Sequence, residues 1–154
     1  MQLQDLISNG TTCFIEETQR DAAIRTMVAH LARSSKEITS DQLEKALFES
    51  ILKREKIVST GIGMGIAIPH AKLPCFKTFF MGLGIVSCKK GIEWDSLDGF
   101  PVRIIFLIGG PQDNQTDYLQ ILSHLTSAVK DEDRRQQLLD TKNLAEIPHI
   151  FAGC

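Results

Sequence analysis

Residues 59–74 read STGIGMGIAIPHAKLP: three glycines two apart, a short apolar run, and then Pro69-His70-Ala71. Gly61, Gly63 and Gly65 allow a tight turn with positive φ, because glycine has no Cβ to clash there. Ile66 to Ile68 reads as a short strand, and Pro69 pushes Ile68 into extended geometry while fixing its own φ. His70 is thus delivered from a stiff strand end, beside a loop whose backbone N–H groups can face an anion.

Two nucleotide motifs that use such glycines do not fit. A P-loop needs G-x-x-x-x-G-K-[ST], but five positions after Gly61 stands Ile66. The dinucleotide fingerprint G-x-G-x-x-G fails at its third glycine, replaced by Ile66 or Ile68 according to the start chosen. A reactive histidine fits the window, because an imidazole nitrogen is largely unprotonated near neutral pH and accepts a phosphoryl group without a helper base. A histidine hydrogen-bonded within its loop fits equally well, so the spacing alone leaves both readings open.

Outward from this window the period of the apolar residues changes twice. Upstream, Thr18-Gln19-Arg20-Asp21 resembles a capping box, and Ala22, Ala23, Met27, Val28 and Leu31 follow at near-helical spacing, which predicts a helix over about 18–33. Thr39-Ser40-Asp41-Gln42 supplies a second cap, with Leu43, Leu47, Ile51 and Leu52 striping a helix that ends near Glu55. Downstream, Phe79–Val86, Ile92–Trp94 and Val102–Ile108 are strand-like runs broken at Lys89-Lys90-Gly91 and Asp98-Gly99. Helical spacing returns over Gln115–Val129, Glu132–Leu139 and Leu144–Ile147, with Pro148 expected to stop or kink the last. The expected fold is α/β, a single-domain layered sandwich over residues 1–154. A mixed β-sheet is flanked by helices, and two N-terminal helices come before the strands.

Composition narrows the function classes. With 154 residues, 43% apolar and 23% charged, the chain is long enough to bury about two-thirds of its unfolded surface. A net charge of -2, a pI near 6.1 and scattered basic residues give no electrostatic footprint for nucleic acid. Apolar runs such as Ile104–Ile108 are too short to span a bilayer, and MQLQDLISNG lacks the features of a signal peptide, so a cytoplasmic location without membrane insertion is expected. Cys13, Cys75, Cys88 and Cys154 sit in no C-x-x-C pair; they are read as reduced thiols, and neither a metal nor a cofactor is expected.

The run LKREKIVSTGIGMGIAIPHAKLP, residues 52–74, resembles the signature of the type-2 enzyme IIA domains of the bacterial phosphoenolpyruvate:sugar phosphotransferase system, the fructose/mannitol class. It is most similar to their stand-alone nitrogen-regulatory members. GIEWDSLDGFPVRIIFLI (91–108) resembles the family's second hairpin and core strand, and DYLQILSHLTSAVKDEDRRQQLL (117–139) its following helices, so the resemblance covers about residues 3–147. It implies that His70 accepts a phosphoryl group from the histidine-containing phosphocarrier protein, and that Arg54 lies near that site to stabilise the group. A planar guanidinium fork suits phosphoryl oxygens better than an ammonium does. Ser59, Thr60, Gly61, Gly63 and Gly65 then form the phosphate-facing loop. A IIB component or a regulated partner protein is the expected acceptor, in a regulatory rather than sugar-transporting role. In that role the phosphorylation state of His70 would select the partner, by a charge change at an apolar docking surface made by Ile62, Met64 and Ile66; the alternative is a regulatory protein-binding module that is weakly or not phosphorylated.

In one respect the chain departs from the pattern it resembles. Family members commonly carry a second histidine at the place taken here by Tyr118, in Tyr118-Leu119-Gln120-Ile121-Leu122. Tyr118 is able to donate a hydrogen bond to a phosphoryl oxygen, and serves as well as a packing edge. His124 lies six residues on, about 240° round the helix, and does not substitute for it. The other assignments are plainer. His30, His124 and His149 are read as surface or cap residues, Glu55 as a surface charge or ion-pair partner, and Trp94 and Phe100 as core or hairpin packing. Glu93 and Asp95 share a strand face without any nucleophile nearby, so no glycosidase is built on them.

Overall fold

The computed structural model describes residues 2–154. In chain order its elements are α1 (Leu3–Asn9), β1 (Thr11–Ile15), α2 (Arg20–Ser34), α3 (Asp41–Ile57), β2 (Gly61–Gly63), β3 (Ile66–Ala67), β4 (His70–Lys72), β5 (Phe80–Val86), β6 (Ile104–Gly110), α4 (Gln115–Val129), α5 (Glu132–Asp140), a 3₁₀ turn (Leu144–Glu146) and α6 (Ile147–Ile150). Among the described residues, no helix is long and apolar enough to cross a membrane.

The sheet is mixed, in the order β1-β5-β6-β3-β2, and β4 continues the edge of β6 beyond β3. β5 and β6 run antiparallel at its centre, whereas β1 is parallel to β5, and both β3 and β4 are parallel to β6. Every residue of β5 and β6 is buried, because alternate side chains feed two separate apolar layers. Ile105 and Leu107 face Ile24, Met27, Leu31, Leu47 and Ile51 of α2 and α3. Ile104, Phe106 and Ile108 face Leu3 and Ile7 of α1 and Ile121, Leu125 and Val129 of α4. The helices therefore flank both faces of one sheet, as the patterning predicts.

Several local expectations change. α1 and β1 come before α2 and α3, so helices alone do not precede the strands. β1 is only five residues long and its partner β5 lies far along the chain, out of reach of local periodicity. α2 starts one residue too late for a cap at Thr18; Gln19 occupies that position, and its side chain caps nothing. Ser40 does cap α3, its hydroxyl accepting from the Leu43 N–H at 3.1 Å. Ile92–Trp94 is no strand and keeps one bridge, Ile92 to Val102. Trp94 is core, but Phe100 is 66% exposed just after the Leu97–Gly99 turn. Pro148 does not end a helix; it sits in the first turn of α6, where its missing N–H costs no hydrogen bond.

Candidate active site: a histidine at the head of a short strand

His70 opens β4 instead of closing the strand before it. Ile68 donates its N–H to the Thr60 carbonyl at 3.0 Å, and the Pro69 carbonyl accepts from Ile108 of β6 at 3.0 Å. The Ile68-Pro69 dipeptide is thereby clamped between the Ser59-Thr60 segment and the central sheet. His70 then pairs in register with Ile108 and Lys72 with Gly110. The alternation of β4 buries Ala71 and turns His70 and Lys72 to the same side.

That side is the wall of an open cleft of about 410 Å³, lined by Ser50, Arg54, His70, Ala71, Lys72 and Gln112. Two cations flank one imidazole there. Arg54 comes from the last turns of α3, where its Nη1 donates to the Val58 carbonyl at 2.9 Å and so satisfies a helix-end acceptor. Lys72 donates from Nζ to Oε1 of Gln115 at 2.7 Å and rests 4.2 Å from the centroid of the Tyr118 ring. Tyr118 is 6% exposed, and its ring lies 5.4 Å from that of His70 and 6.1 Å from that of Phe79. His70 and Arg54 thus share the cleft, with the Tyr118 ring packed beside the imidazole. Lys72 and Gln115 are additions, and the strand alternation of His70 and Lys72 was the signal available for the first of them.

The His70 ring is oriented by its own backbone. Nδ1 lies 3.0 Å from the Ile68 carbonyl oxygen. A carbonyl only accepts, so Nδ1 carries the proton and Nε2 keeps the lone pair. Burial lowers the His70 pKa below the ordinary imidazole value, the Arg54 and Lys72 charges act in the same direction, and the Ile68 bond and the Glu55 charge oppose them. Burial raises the Tyr118 hydroxyl, with Arg54 partly offsetting it.

The glycines do not line this cleft. Gly63, Met64 and Gly65 all have positive φ, but the turn they make packs on the segment 95–103 instead. The Met64 N–H donates to Oδ2 of Asp98 at 2.9 Å, and the Gly61 N–H to Oγ of Ser59 at 3.0 Å, so these donors are already used. Gly61 has no positive φ; a Cβ there would overlap the Ser96 side chain. Ser59 binds the Trp94 carbonyl. Of the three apolar residues expected at a docking surface, Met64 is exposed and Ile62 half-buried, but Ile66 is in the core. Glu55 is not a surface charge: it is 4% exposed, accepting from Thr60 and Trp94.

A sequence profile described as the phosphoenolpyruvate-dependent sugar phosphotransferase system, EIIA 2, matches residues 8–153. The chain belongs to this family. Among curated relatives, the nitrogen regulatory protein of Bradyrhizobium diazoefficiens is 35% identical over 122 residues, covering 79% of this chain and 78% of that one. The fructose-specific EIIABC component of Bacillus subtilis is 34% identical over 144 residues, which is 93% of this chain and 22% of that protein. Among solved structures, the nitrogen regulatory protein IIA-Ntr of Neisseria meningitidis superposes with a TM-score of 0.82 at 23% identity, covering 97% of this chain and 99% of that one. The IIA domain in the Escherichia coli complex of mannitol IIA with phosphorylated IIB gives 0.72 at 20% identity, with 92% and 94% covered. At these identities the two structures establish the fold. Membership makes the chain an EIIA component of a phosphoenolpyruvate-dependent phosphotransferase system, and so a phosphoryl carrier.

Proposed function

We propose that this EIIA domain accepts a phosphoryl group from the histidine-containing phosphocarrier protein onto Nε2 of His70, and does so in a regulatory role. The observation that supports this most is the 3.0 Å contact between His70 Nδ1 and the Ile68 carbonyl at the wall of the cationic cleft. It leaves Nε2 as the nucleophile. The Nε2 lone pair forms the new N–P bond as the donor's N–P bond breaks, and the electron pair of the old bond returns to the donor nitrogen. Arg54 and Lys72 offer N–H donors and positive charge to the oxygens in transit, within an already folded frame. A lowered His70 pKa keeps the ring neutral, hence nucleophilic, near neutral pH.

Thr60 enters this scheme by holding Ile68 through its carbonyl, Ser59, Gly61, Gly63 and Gly65 brace the turn beside it against the segment 94–103, and the phosphoryl oxygens face the side chains of α3 and β4. Tyr118 enters it through its ring, as an aromatic wall beside the imidazole and under the Lys72 ammonium. The regulatory role draws support from the nitrogen regulatory relative, 78% of whose length is matched against 22% for the fructose EIIABC component. The test is incubation of the protein with phosphoenolpyruvate, enzyme I and the phosphocarrier, followed by intact mass. One acid-labile phosphoryl mass on the native chain, and none on His70→Ala, is expected; phosphorylation of a folded His70→Ala variant contradicts the assignment.

A further inference from the structure

A buried carboxylate that the transfer step does not use stands behind His70. Glu55 follows Arg54 on α3 and points into the core. Its Oε2 accepts the Thr60 N–H at 3.1 Å, and its Oε1 accepts both the Thr60 hydroxyl and the Trp94 indole N–H, the latter at 3.3 Å. All three groups that reach it are donors, an arrangement that suits the acceptor-only form of a carboxylate. The ion pairs among the described residues are Arg20–Asp21, Lys45–Glu49 and Arg134–Asp131, so no cation pairs with Glu55. A carboxylate in the interior without a counter-ion is costly, and an apolar side chain would satisfy packing more simply.

What Glu55 does beyond packing follows from its partners. Thr60, which it grips by both backbone and side chain, accepts the Ile68 N–H at 3.0 Å, and the Ile68 carbonyl accepts from His70 Nδ1 at 3.0 Å. A series of hydrogen bonds, linked by the backbones of Thr60 and Ile68, therefore joins the carboxylate to the imidazole. The same grip fixes the turn of α3 that carries Arg54. We propose that Glu55 is a positioning residue for phosphoryl transfer: through Thr60 and the Ile68 peptide it holds His70 in the Nδ1–H tautomer, and its charge supports the ring as Nε2 is phosphorylated. The inference rests on His70 being the acceptor. When a neutral ring gains the phosphoryl group at Nε2 and keeps its Nδ1 proton, it becomes formally cationic, and the bond to Ile68 strengthens. The charged and titratable groups that act on this ring are Arg54 and Glu55 from α3 and Lys72 from β4, with Tyr118 from α4 packed against it. Among these four Glu55 is the carboxylate, set against the two cations.

Glu55→Gln tests this, because glutamine keeps the shape but loses the charge and turns an NH₂ toward a donor. Imidazole ¹H–¹⁵N spectra of the native protein are expected to show the Nδ1–H tautomer at His70. Those of Glu55→Gln should show mixed tautomers and a His70 titration moved to lower pH. Phosphorylation by the phosphocarrier should slow at least about tenfold, as displaced reacting groups do. Glu55→Asp, which retains the charge, should recover part of the rate. Should Glu55→Gln not fold, Thr60→Val, which removes the hydroxyl that donates to Glu55 and accepts from the Trp94 indole at 3.3 Å but keeps the Thr60 N–H on Glu55, is expected to shift tautomer and rate the same way by less. A folded Glu55→Gln, or failing that Thr60→Val, with native tautomer, titration and rate overturns the proposal. If the native chain takes no phosphoryl group, or His70→Ala takes one, the acceptor assignment fails instead, and the spectra of Glu55→Gln still decide whether Glu55 positions the ring.

Discussion

The Tyr118 ring lies 5.4 Å from the His70 imidazole, the two planes inclined at 43°. Tyr118 also stacks on Phe79 and carries the Lys72 ammonium on its face, so it shapes the wall of the cleft and holds one of its two cations. The ring does this, and the hydroxyl adds little to it. Tyr118→Phe is therefore expected to keep the phosphorylation rate within about twofold, whereas Tyr118→Ala should lose about tenfold and about 3 kcal/mol of stability by opening a cavity. Single-turnover kinetics and denaturant unfolding of the two variants check this.

In the proposed transfer Arg54 meets the reacting group, and its charge also lowers the His70 pKa. Removing it has two signatures of opposite direction. Arg54→Ala should slow transfer by about a hundredfold, the usual effect of losing one preorganised donor, and at the same time raise the pH at which His70 titrates. Arg54→Lys should restore the titration more fully than the rate, because a point charge replaces a planar fork. Stopped-flow transfer and an imidazole NMR titration read the two effects separately.

The pH dependence has a definite sign. His70 has a folded pKa lowered from 6.5, so between the folded value and 6.5 the unfolded chain binds more protons than the native one. Stability therefore rises with pH through that window, and the gain is complete above 6.5. The free nucleophile also persists to lower pH than an ordinary imidazole would allow. Urea unfolding of the native protein and of His70→Gln at pH 5.0 and 7.5 measures this: the difference in stability between the two pH values should be smaller in the variant.

Burial, helped by the Glu17 charge, pushes the Cys13 thiol up to about 11, whereas Cys75 is exposed. Iodoacetamide at pH 8 is expected to modify Cys75 in the native protein and to reach Cys13 only after unfolding. Peptide mapping of the alkylated sites distinguishes the two.

Much of this architecture is written in local periodicity. The stripes of α2, α3 and α4 and the apolar runs of β5 and β6 follow from residues close in sequence, and so does His70 behind its proline. What local patterns do not contain is pairing at a distance. Thr11–Ile15 becomes a strand only because β5 lies beside it. The glycine turn faces Asp98 because the Met64 N–H finds that carboxylate across the fold, which takes the loop away from the histidine it precedes in sequence. Glu55 sits in the charged run Lys53-Arg54-Glu55-Lys56, which reads as surface; only the approach of Trp94 and Thr60 makes it interior. Arg54 and Glu55, neighbours in sequence, leave α3 in different directions, one to the cleft and one to the core.

The central claim is that the Ile68 carbonyl, by holding Nδ1, makes Nε2 of His70 the phosphoryl acceptor. The most direct measurement is ³¹P and ¹⁵N NMR of the protein phosphorylated through the phosphocarrier, with ¹⁵N-labelled histidine. A single phosphohistidine at His70 is expected, with phosphorus coupled to Nε2 and the proton retained on Nδ1. Phosphorus coupled to Nδ1, or to a nitrogen of His30, His124 or His149, would contradict it.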